Sequence, residues 1–379
     1  MNTNSTMIKK SFIALFFSLF LFSSLLSVTS CSKDDGPATE ENSDDDTDND
    51  NPTDDGNTDD GNTDDGNTDD GNTDDGNTDD GGTDDGDGTD DGDGSLDPNA
   101  APSVNFDLST WNISIPTDTD DSGTADNISV ANLNNGYEND NYFYTGADGG
   151  MVFKCPVAGF KTSVNTNYTR SELREMLRQE NTSISTKGVN GNNWVFGSAP
   201  QVDKDAAAGY DGVLTATLAV NHVTTTGDSD QVGRVIVGQI HANDDEPVRI
   251  YYRKLPNNTK GSIYFAHEAN ENVVDSEDWY EMIGSRSDSA SDPTDGIALD
   301  EEFGYTIQVV NNTLTVTITR EGKADVVETV DMTNSGYGVG GQYMYFKAGV
   351  YLQDNTGDDD DYAQATFYSL ENSHTGYTK

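Results

Sequence analysis

The stretch Tyr343-Met344-Tyr345-Phe346-Lys347-Ala348-Gly349-Val350-Tyr351-Leu352-Gln353 carries two unlike chemistries on alternate residues. At the two-residue period of a β-strand, Phe346, Ala348, Val350 and Leu352 share one face, and Tyr345, Lys347, Gly349, Tyr351 and Gln353 share the other. The first face is apolar and belongs against a core. The second gathers a cation, two phenols and an amide around a glycine that leaves room for a ligand. The stretch therefore reads as a strand with a packed face and a working face. Taken alone it also fits an ordinary half-exposed strand, so the other strands decide between the two.

Outward from this stretch, the chain from Val104 onward repeats one pattern. Short runs rich in Val, Ile, Thr, Tyr and Phe alternate with Gly, Asn and Asp clusters: Val213–Val220, Arg234–Ile240, Val248–Tyr252, Ser262–Phe265, Tyr305–Val310, Thr313–Thr319 and Ala363–Tyr368. Asn311-Asn312, between two alternating segments, reads as a hairpin turn. Only Ala206–Gly209 and Ser276–Ile283 offer short turns of helix. The pattern predicts an all-β fold, a sandwich or jelly roll, built from one domain over residues 100–379.

The N-terminal residues have a different character. Lys9 and Lys10 precede an apolar run from Phe12 to Val28, too short for a full membrane span and typical of an export signal. Val28-Thr29-Ser30-Cys31 resembles a bacterial lipobox, in which the cysteine is lipidated, so residues 1–30 are expected to be a lipoprotein signal peptide and Cys31 the lipidation site. Ser32-Lys33-Asp34-Asp35 resembles the acidic tag of surface-exported lipoproteins of Bacteroidetes-type bacteria, which implies an outer-membrane, cell-surface location. The only other cysteine is Cys155, so no disulfide framework is available and the core alone must hold the fold.

Residues 31–99 read as a disordered linker. Asn-Thr-Asp-Asp-Gly occurs five times in succession between Asn57 and Gly81, and residues 32–99 hold 28 acidic groups against one lysine. Almost no apolar side chain is present to offset the entropy of ordering, and like charges keep such a chain extended. Dense Asp and Gly resemble calcium loops in composition, but a five-residue period lacks their ligand spacing and terminal glutamate.

The domain itself is acidic, with about 41 acidic and 17 basic groups in residues 100–379. Long-range steering disfavours nucleic acid and anionic membrane, leaving a lipid anchor as the expected membrane contact. A polyanionic ligand would have to be held by a local cationic patch. Two further stretches supply one. Arg170, Glu172 and Arg174 share a face in Tyr168-Thr169-Arg170-Ser171-Glu172-Leu173-Arg174, and the central carboxylate can hold the guanidinium planes in place. Gln239 and His241 share a face in Val237-Gly238-Gln239-Ile240-His241. Separately, the first could be a surface salt-bridge row and the second a strand-end histidine. Together the three strands present groups suited to binding a carboxylate and moving a proton.

They also carry a resemblance. Arg170-Ser171-Glu172-Leu173-Arg174-Glu175, Gln239-Ile240-His241 and Tyr345–Gln353 resemble the three signature blocks of polysaccharide lyase family 7, the alginate lyases. Phe106–Pro116 resembles that family's first strand and Ala365–Leu370 its last. The resemblance implies a β-jelly roll whose concave sheet binds a uronate polymer and an enzyme that cleaves alginate by β-elimination. Endolytic action, acceptance of guluronate-containing blocks and a monomer are expected. In this reading Arg170 and Gln239 neutralise the C5 carboxylate, His241 serves as base at neutral pH and Tyr351 protonates the leaving oxygen. Arg174, Lys347, Gln353 and Tyr345 line the subsites, and Glu172 orients the arginines. No cofactor or catalytic metal is expected, because the four histidines show no paired ligand spacing. A structural calcium near residues 358–361 is conceivable from composition. Leu352 departs from an asparagine common in the family, and its place on the apolar face implies altered packing only.

Three alternatives stand beside this reading. A hydrolase needs two carboxylates flanking the bond, and the odd spacing of Glu172 and Glu175 puts them on opposite faces. A carbohydrate-binding module without catalysis and a lyase for another polyuronate complete the set.

Overall fold

Residues 95–379, apart from positions 244, 271, 274 and 275, are described by the structure, a computed structural model. The leader, Cys31 and nearly all of the repeat linker lie outside the described residues. Leu96, placed in the linker by composition, packs partly buried against the core, and the Asn105 amide donates to the Asp97 carbonyl at 2.9 Å.

Among the described residues, seventeen strands and three short helices follow in order. The strands are β1 (Trp111–Ile115), β2 (Asp126–Ile128), β3 (Phe143–Thr145), β4 (Met151–Pro156), β5 (Arg170–Glu175) and β6 (Trp194–Val195). Then come β7 (Gly209–His222), β8 (Arg234–His241), β9 (Val248–Arg253), β10 (Lys260–Glu268), β11 (Glu277–Ile283) and β12 (Ile297–Ala298). The last are β13 (Phe303–Val310), β14 (Thr313–Thr319), β15 (Val326–Asp331), β16 (Tyr345–Leu352) and β17 (Tyr362–Thr375). The helices are α1 (Pro102–Asn105), α2 (Val130–Asn134) and α3 (Gln201–Ala206).

They form the β-jelly roll expected from the sequence. One sheet runs β11-β10-β9-β8-β16-β5-β1-β2, with β12 beside β10; the other runs β15-β14-β13-β7-β17-β4-β3, with β6 beside β7. Pairing is antiparallel except between β6 and β7. The Asn311-Asn312 turn joins β13 to β14, and Asn311 takes a positive φ of 55° that asparagine tolerates.

Two helix expectations are corrected. Ser276–Ile283 is strand β11, because Trp279 and Tyr280 are β-formers and register with Ala266 and Phe265 of β10. Helical turns near Ala206–Gly209 lie earlier, in α3, which starts after Pro200 and ends at Ala206; Gly209 already belongs to β7.

The core lies between the sheets. Trp111, Ile113, Leu173, Ile240, Phe346, Val350 and Leu352 of the first sheet meet Phe153, Leu214, Leu218, Ile307 and Phe367 of the second, all buried. Each such side chain contributes about 1.5–3 kcal/mol through its removal from water. Leu352 sits where the alternation puts it. Cys155 is a core residue on β4, and burial pushes its thiol up to about 12, far from reactive thiolate character.

A polar clamp crosses this core. Glu175, at the end of β5, accepts from His374 Nε2 of β17 at 2.8 Å and from the Phe346 N–H at 3.1 Å. His374 Nδ1 lies 2.8 Å from the Asp211 carbonyl oxygen, so both ring nitrogens face acceptors. Trp194 stacks beside the pair and exchanges backbone hydrogen bonds with Met344, stitching the two sheets at this corner. Removing one partner of a buried pair strands the other. His374→Ala should therefore lower the unfolding free energy by about 3–5 kcal/mol in a chemical denaturation series.

Candidate active site

Strands distant in sequence become neighbours in the order β8-β16-β5. Their register lays the outward side chains in rows. His241 is opposite Tyr345; Gln239, Lys347 and Arg174 share a second row; Gly349 is opposite Glu172 and Tyr351 opposite Arg170. All three polar faces inferred from the sequence thus coincide on one surface.

At the centre is the Glu172 carboxylate. Arg170 Nη1 approaches one oxygen at 3.2 Å and Lys347 Nζ the same oxygen at 3.1 Å, while Gln239 Nε2 donates to the other at 2.8 Å. One anion therefore organises side chains from three strands. The Arg170 end of the expected ladder is thus seen directly, with Lys347 sharing the same carboxylate oxygen. The Arg174 guanidinium lies 4.1 Å from the Tyr345 ring centre and donates to the Thr186 carbonyl at 3.0 Å, anchored by the loop after β5.

Tyr345 is sandwiched, since its other neighbour is His241, stacked with ring centres 4.9 Å apart and planes 10° apart. His241 Nδ1 is 2.7 Å from the Ala242 carbonyl oxygen. A carbonyl only accepts, so Nδ1 carries the proton and Nε2 is the basic nitrogen of the neutral ring. Nε2 lies 3.3 Å from Glu246 Oε1, too poorly aligned for a hydrogen bond. Tyr351 lies beneath the Arg170 guanidinium, 3.9 Å from its ring centre, and meets Tyr168 edge-on at 6.2 Å.

The face of β8 does not follow a strict alternation. Between Ile236 and Gln239 it takes three steps where β9 takes two and β16 takes four. The bulge turns both Val237 and Gly238 inward and brings Ile236 outward beside Tyr351. Tyr305 of the opposite sheet reaches across the core and donates to the Val237 carbonyl at 3.1 Å. Gly238 makes this possible, since a Cβ there would stand 2.6 Å from the Tyr305 ring. Burial holds the Tyr305 phenol protonated, as a donor must be.

Two expectations change in meaning. Gly349 is no mere gap for a ligand. Its φ of 136° and the 2.7 Å approach of a Cβ to the Ser171 carbonyl oxygen demand glycine whatever binds above. Gln353 lies past the end of β16 and is wholly buried, its amide donating to the Leu352 carbonyl at 3.1 Å.

The sequence reading did not identify Arg249, Glu246, Glu268 and Glu277. Arg249 is opposite Gln239 and pairs with all three carboxylates. Their strand register, invisible in the sequence, is what joins them. An aromatic floor of Tyr251, Tyr264 and Trp279 continues the face from Tyr351 toward β11.

For metals, the acidic loop near residues 358–361 behaves as a hydrogen-bonded turn. Asp361 accepts from the backbone N–H and hydroxyls of Thr225 and Thr226. Among the described residues, Asp118 and Asp120 of the loop before β2 and Asp126 at its start bring carboxylate oxygens within 4.8 Å of one another. Thr119 and Gly123 donate to two of them.

Glu172→Gln would remove the buried carboxylate charge that Arg170 and Lys347 share. The expected result is a loss of about 3–5 kcal/mol in unfolding free energy, partly recovered by added salt, as read by denaturant titration.

Comparison with known proteins places this geometry. The alginate lyase family model matches residues 106–374. An alginate lyase of Klebsiella pneumoniae is 57% identical over 281 residues, 72% of this chain and 91% of that protein. The crystal structure of the alginate lyase from Klebsiella pneumoniae aligns with a TM-score of 0.71 at 56% identity, covering 72% of this chain and 98% of that one. The crystal structure of alginate lyase A1-II′, a member of polysaccharide lyase family 7, aligns with a TM-score of 0.51 at 28% identity over 73% of this chain and 99% of that one.

Proposed function

The chain belongs to the alginate lyases of polysaccharide lyase family 7 and is a polysaccharide lyase acting on alginate, and we propose that Arg170, Gln239, His241 and Tyr351 carry out its β-elimination. The observation that carries this assignment is the Glu172 hub, which holds Arg170, Gln239 and Lys347 in one constellation beside Tyr351.

The chemistry follows from the obstacle. The C5 proton of a uronate is hard to remove because its ionised carboxylate must take on further negative charge. Arg170 brings a fixed positive charge to that carboxylate. Gln239 Nε2 bears two hydrogens, and the bond to Glu172 uses one, so the other can donate to it. Because Glu172 fixes both donors before substrate arrives, little reorganisation is needed as the charge develops.

His241 Nε2 takes the C5 proton from guluronate. The C–H electron pair becomes the C4–C5 double bond, and the C4–O pair leaves with the oxygen, which takes its proton from Tyr351. For mannuronate, where proton and leaving oxygen lie on the same side, Tyr351 serves both steps, and the guanidinium over its ring favours transient negative charge on the phenol. Lys347, Arg174 and Tyr345 line the adjoining subsites. Guluronate-containing blocks are accepted and cleavage is endolytic, leaving an unsaturated uronate at the new non-reducing end.

Absorbance of unsaturated ends should rise when the purified chain meets alginate, and its rise on separate mannuronate and guluronate blocks measures the preference. Tyr351→Phe should cut kcat by about 10²–10⁴-fold while alginate binding persists. A variant at full rate removes Tyr351 from its role. Alginate binding by the wild type without any absorbance rise would instead mark a binding module.

The enzyme is further proposed to be a monomer carried at the outer membrane by a lipid on Cys31. The support is the sequence Val28-Thr29-Ser30-Cys31 after the apolar run. Cys31→Ser should abolish labelling by radioactive palmitate and release the protein from the membrane fraction.

A further inference from the structure

A surface that binds a polyanion would be expected to exclude carboxylates, yet three glutamates cluster beside His241. Glu246, in the loop between β8 and β9, puts Oε1 3.3 Å from His241 Nε2 and Oε2 3.8 Å from Arg249 Nη1. Arg249 Nη2 lies 3.6 Å from Glu268 Oε2 of β10 and contacts Glu277 Oε1 of β11 directly. The Glu268 N–H donates to the Glu246 carbonyl at 3.3 Å, so the loop and the end of β10 are tied together.

The cluster stands on a rigid base. Tyr337 donates its hydroxyl to the Glu268 carbonyl at 2.7 Å. Next along β10, His267 points away from the cluster and bridges the Pro247 carbonyl and the Ser335 hydroxyl, at 2.8 and 2.7 Å. Among the described residues, the titratable and charged groups around the cluster are His241 from β8, Asp245 from the loop, Arg249 from β9, Glu277 and Asp278 from β11, Tyr345 from β16 and Tyr337.

One guanidinium cannot balance three ionised carboxylates at this half-buried site. The strain falls on Glu268: burial, then the charge of Glu246, push its carboxyl up to about 9. At neutral pH it is an acid that donates to Glu246. Arg249 and Glu277 then cancel, and the remaining charge of Glu246 is balanced when His241 becomes an imidazolium.

We propose that Glu246 is a positioning residue that orients His241 for proton abstraction, and that Glu268, tied to Glu246 and Arg249, supports it there. The inference rests on the reading of His241 as the group that takes the C5 proton. It explains the carboxylates: with Glu268 neutral, the cluster balances its charge in the state that follows proton abstraction. Ionisation of Glu268 at high pH adds a second negative charge facing the uronate and weakens substrate binding.

The test compares kcat/KM against pH on guluronate blocks, at fixed ionic strength, for the wild type, Glu246→Gln, Glu246→Asp, Glu268→Gln and His241→Ala. A nearby carboxylate stabilises imidazolium, so Glu246→Gln should move the acid limb to lower pH and lower kcat more than it raises KM. Glu246→Asp should return the limb toward the wild-type position. Glu268→Gln should remove the rise in KM expected of the wild type as pH rises through about 9.

Stability gives an activity-independent readout. A carboxyl whose folded pKa is raised binds its proton more tightly in the fold, so its contribution is full below the ordinary glutamate range and falls as pH rises to about 9. Glu268→Gln should flatten that fall in Tm. An unmoved acid limb in Glu246→Gln, with His241→Ala inactive, sinks the positioning role alone. An unchanged slope of Tm against pH in Glu268→Gln sinks the neutral donor. Full activity of His241→Ala on guluronate blocks overturns the base assignment and the inference with it.

Discussion

The Glu172 carboxylate is the constraint on which the rest of the site depends. Arg170 and Lys347 would repel each other across β5 and β16 without an anion between them, and Gln239 would have no fixed orientation on β8. A single buried anion answers all three needs, and its geometry is set by strand register rather than by flexible loops. The cost of burying Glu172 is met by two cations and an amide, which leaves the cluster with net positive charge facing the ligand. That surplus is what an alginate carboxylate can use.

The register in turn depends on contacts in the core behind the site. The β8 bulge lets Gln239 and His241 face outward beside Ile236, although a plain alternation would point Val237 outward as well. Tyr305 holds the bulge by its hydroxyl from the opposite sheet, and Gly238 clears the space for its ring. The Glu175–His374 pair anchors the other end of β5, and its bond to the Phe346 N–H reaches β16 as well. Site and core are therefore opposite faces of the same three strands.

Charge separates the surface of this domain from its working face. The chain carries 69 acidic and 20 basic residues, a composition that repels polyanions at long range. Arg170, Arg174, Lys347 and Arg249 stand together on one face of one sheet, where low dielectric strengthens their pull on a bound carboxylate and limits screening by salt. Within that patch Arg249 is surrounded by glutamates, which offset its charge on the His241 side while the Arg170 side stays cationic. The proton-transfer and carboxylate-binding ends differ in electrostatic character for that reason.

Much of this protein was legible from the amino-acid order. Alternation over Tyr343–Gln353 separated a packed face from a working face, and the placement of Leu352 in the core follows from parity alone. The recurring strand runs identified an all-β fold, and Arg170, Gln239, His241 and Tyr351 stood out because few other strands combine such groups on one face. Helix was misplaced at Ser276–Ile283, where pairing with β10 outweighed local pattern. Pairing partners were beyond the sequence. Register between strands about 100 to 180 residues apart arises from side-chain packing across the whole sandwich. Only the tertiary structure could show that Glu172 holds Lys347, that Gly349 is required by its backbone, or that Glu246, Glu268 and Glu277 converge on Arg249. Local order along a chain sets which side of a strand a residue takes; the long-range contacts of the folded sheets set which residues it meets there.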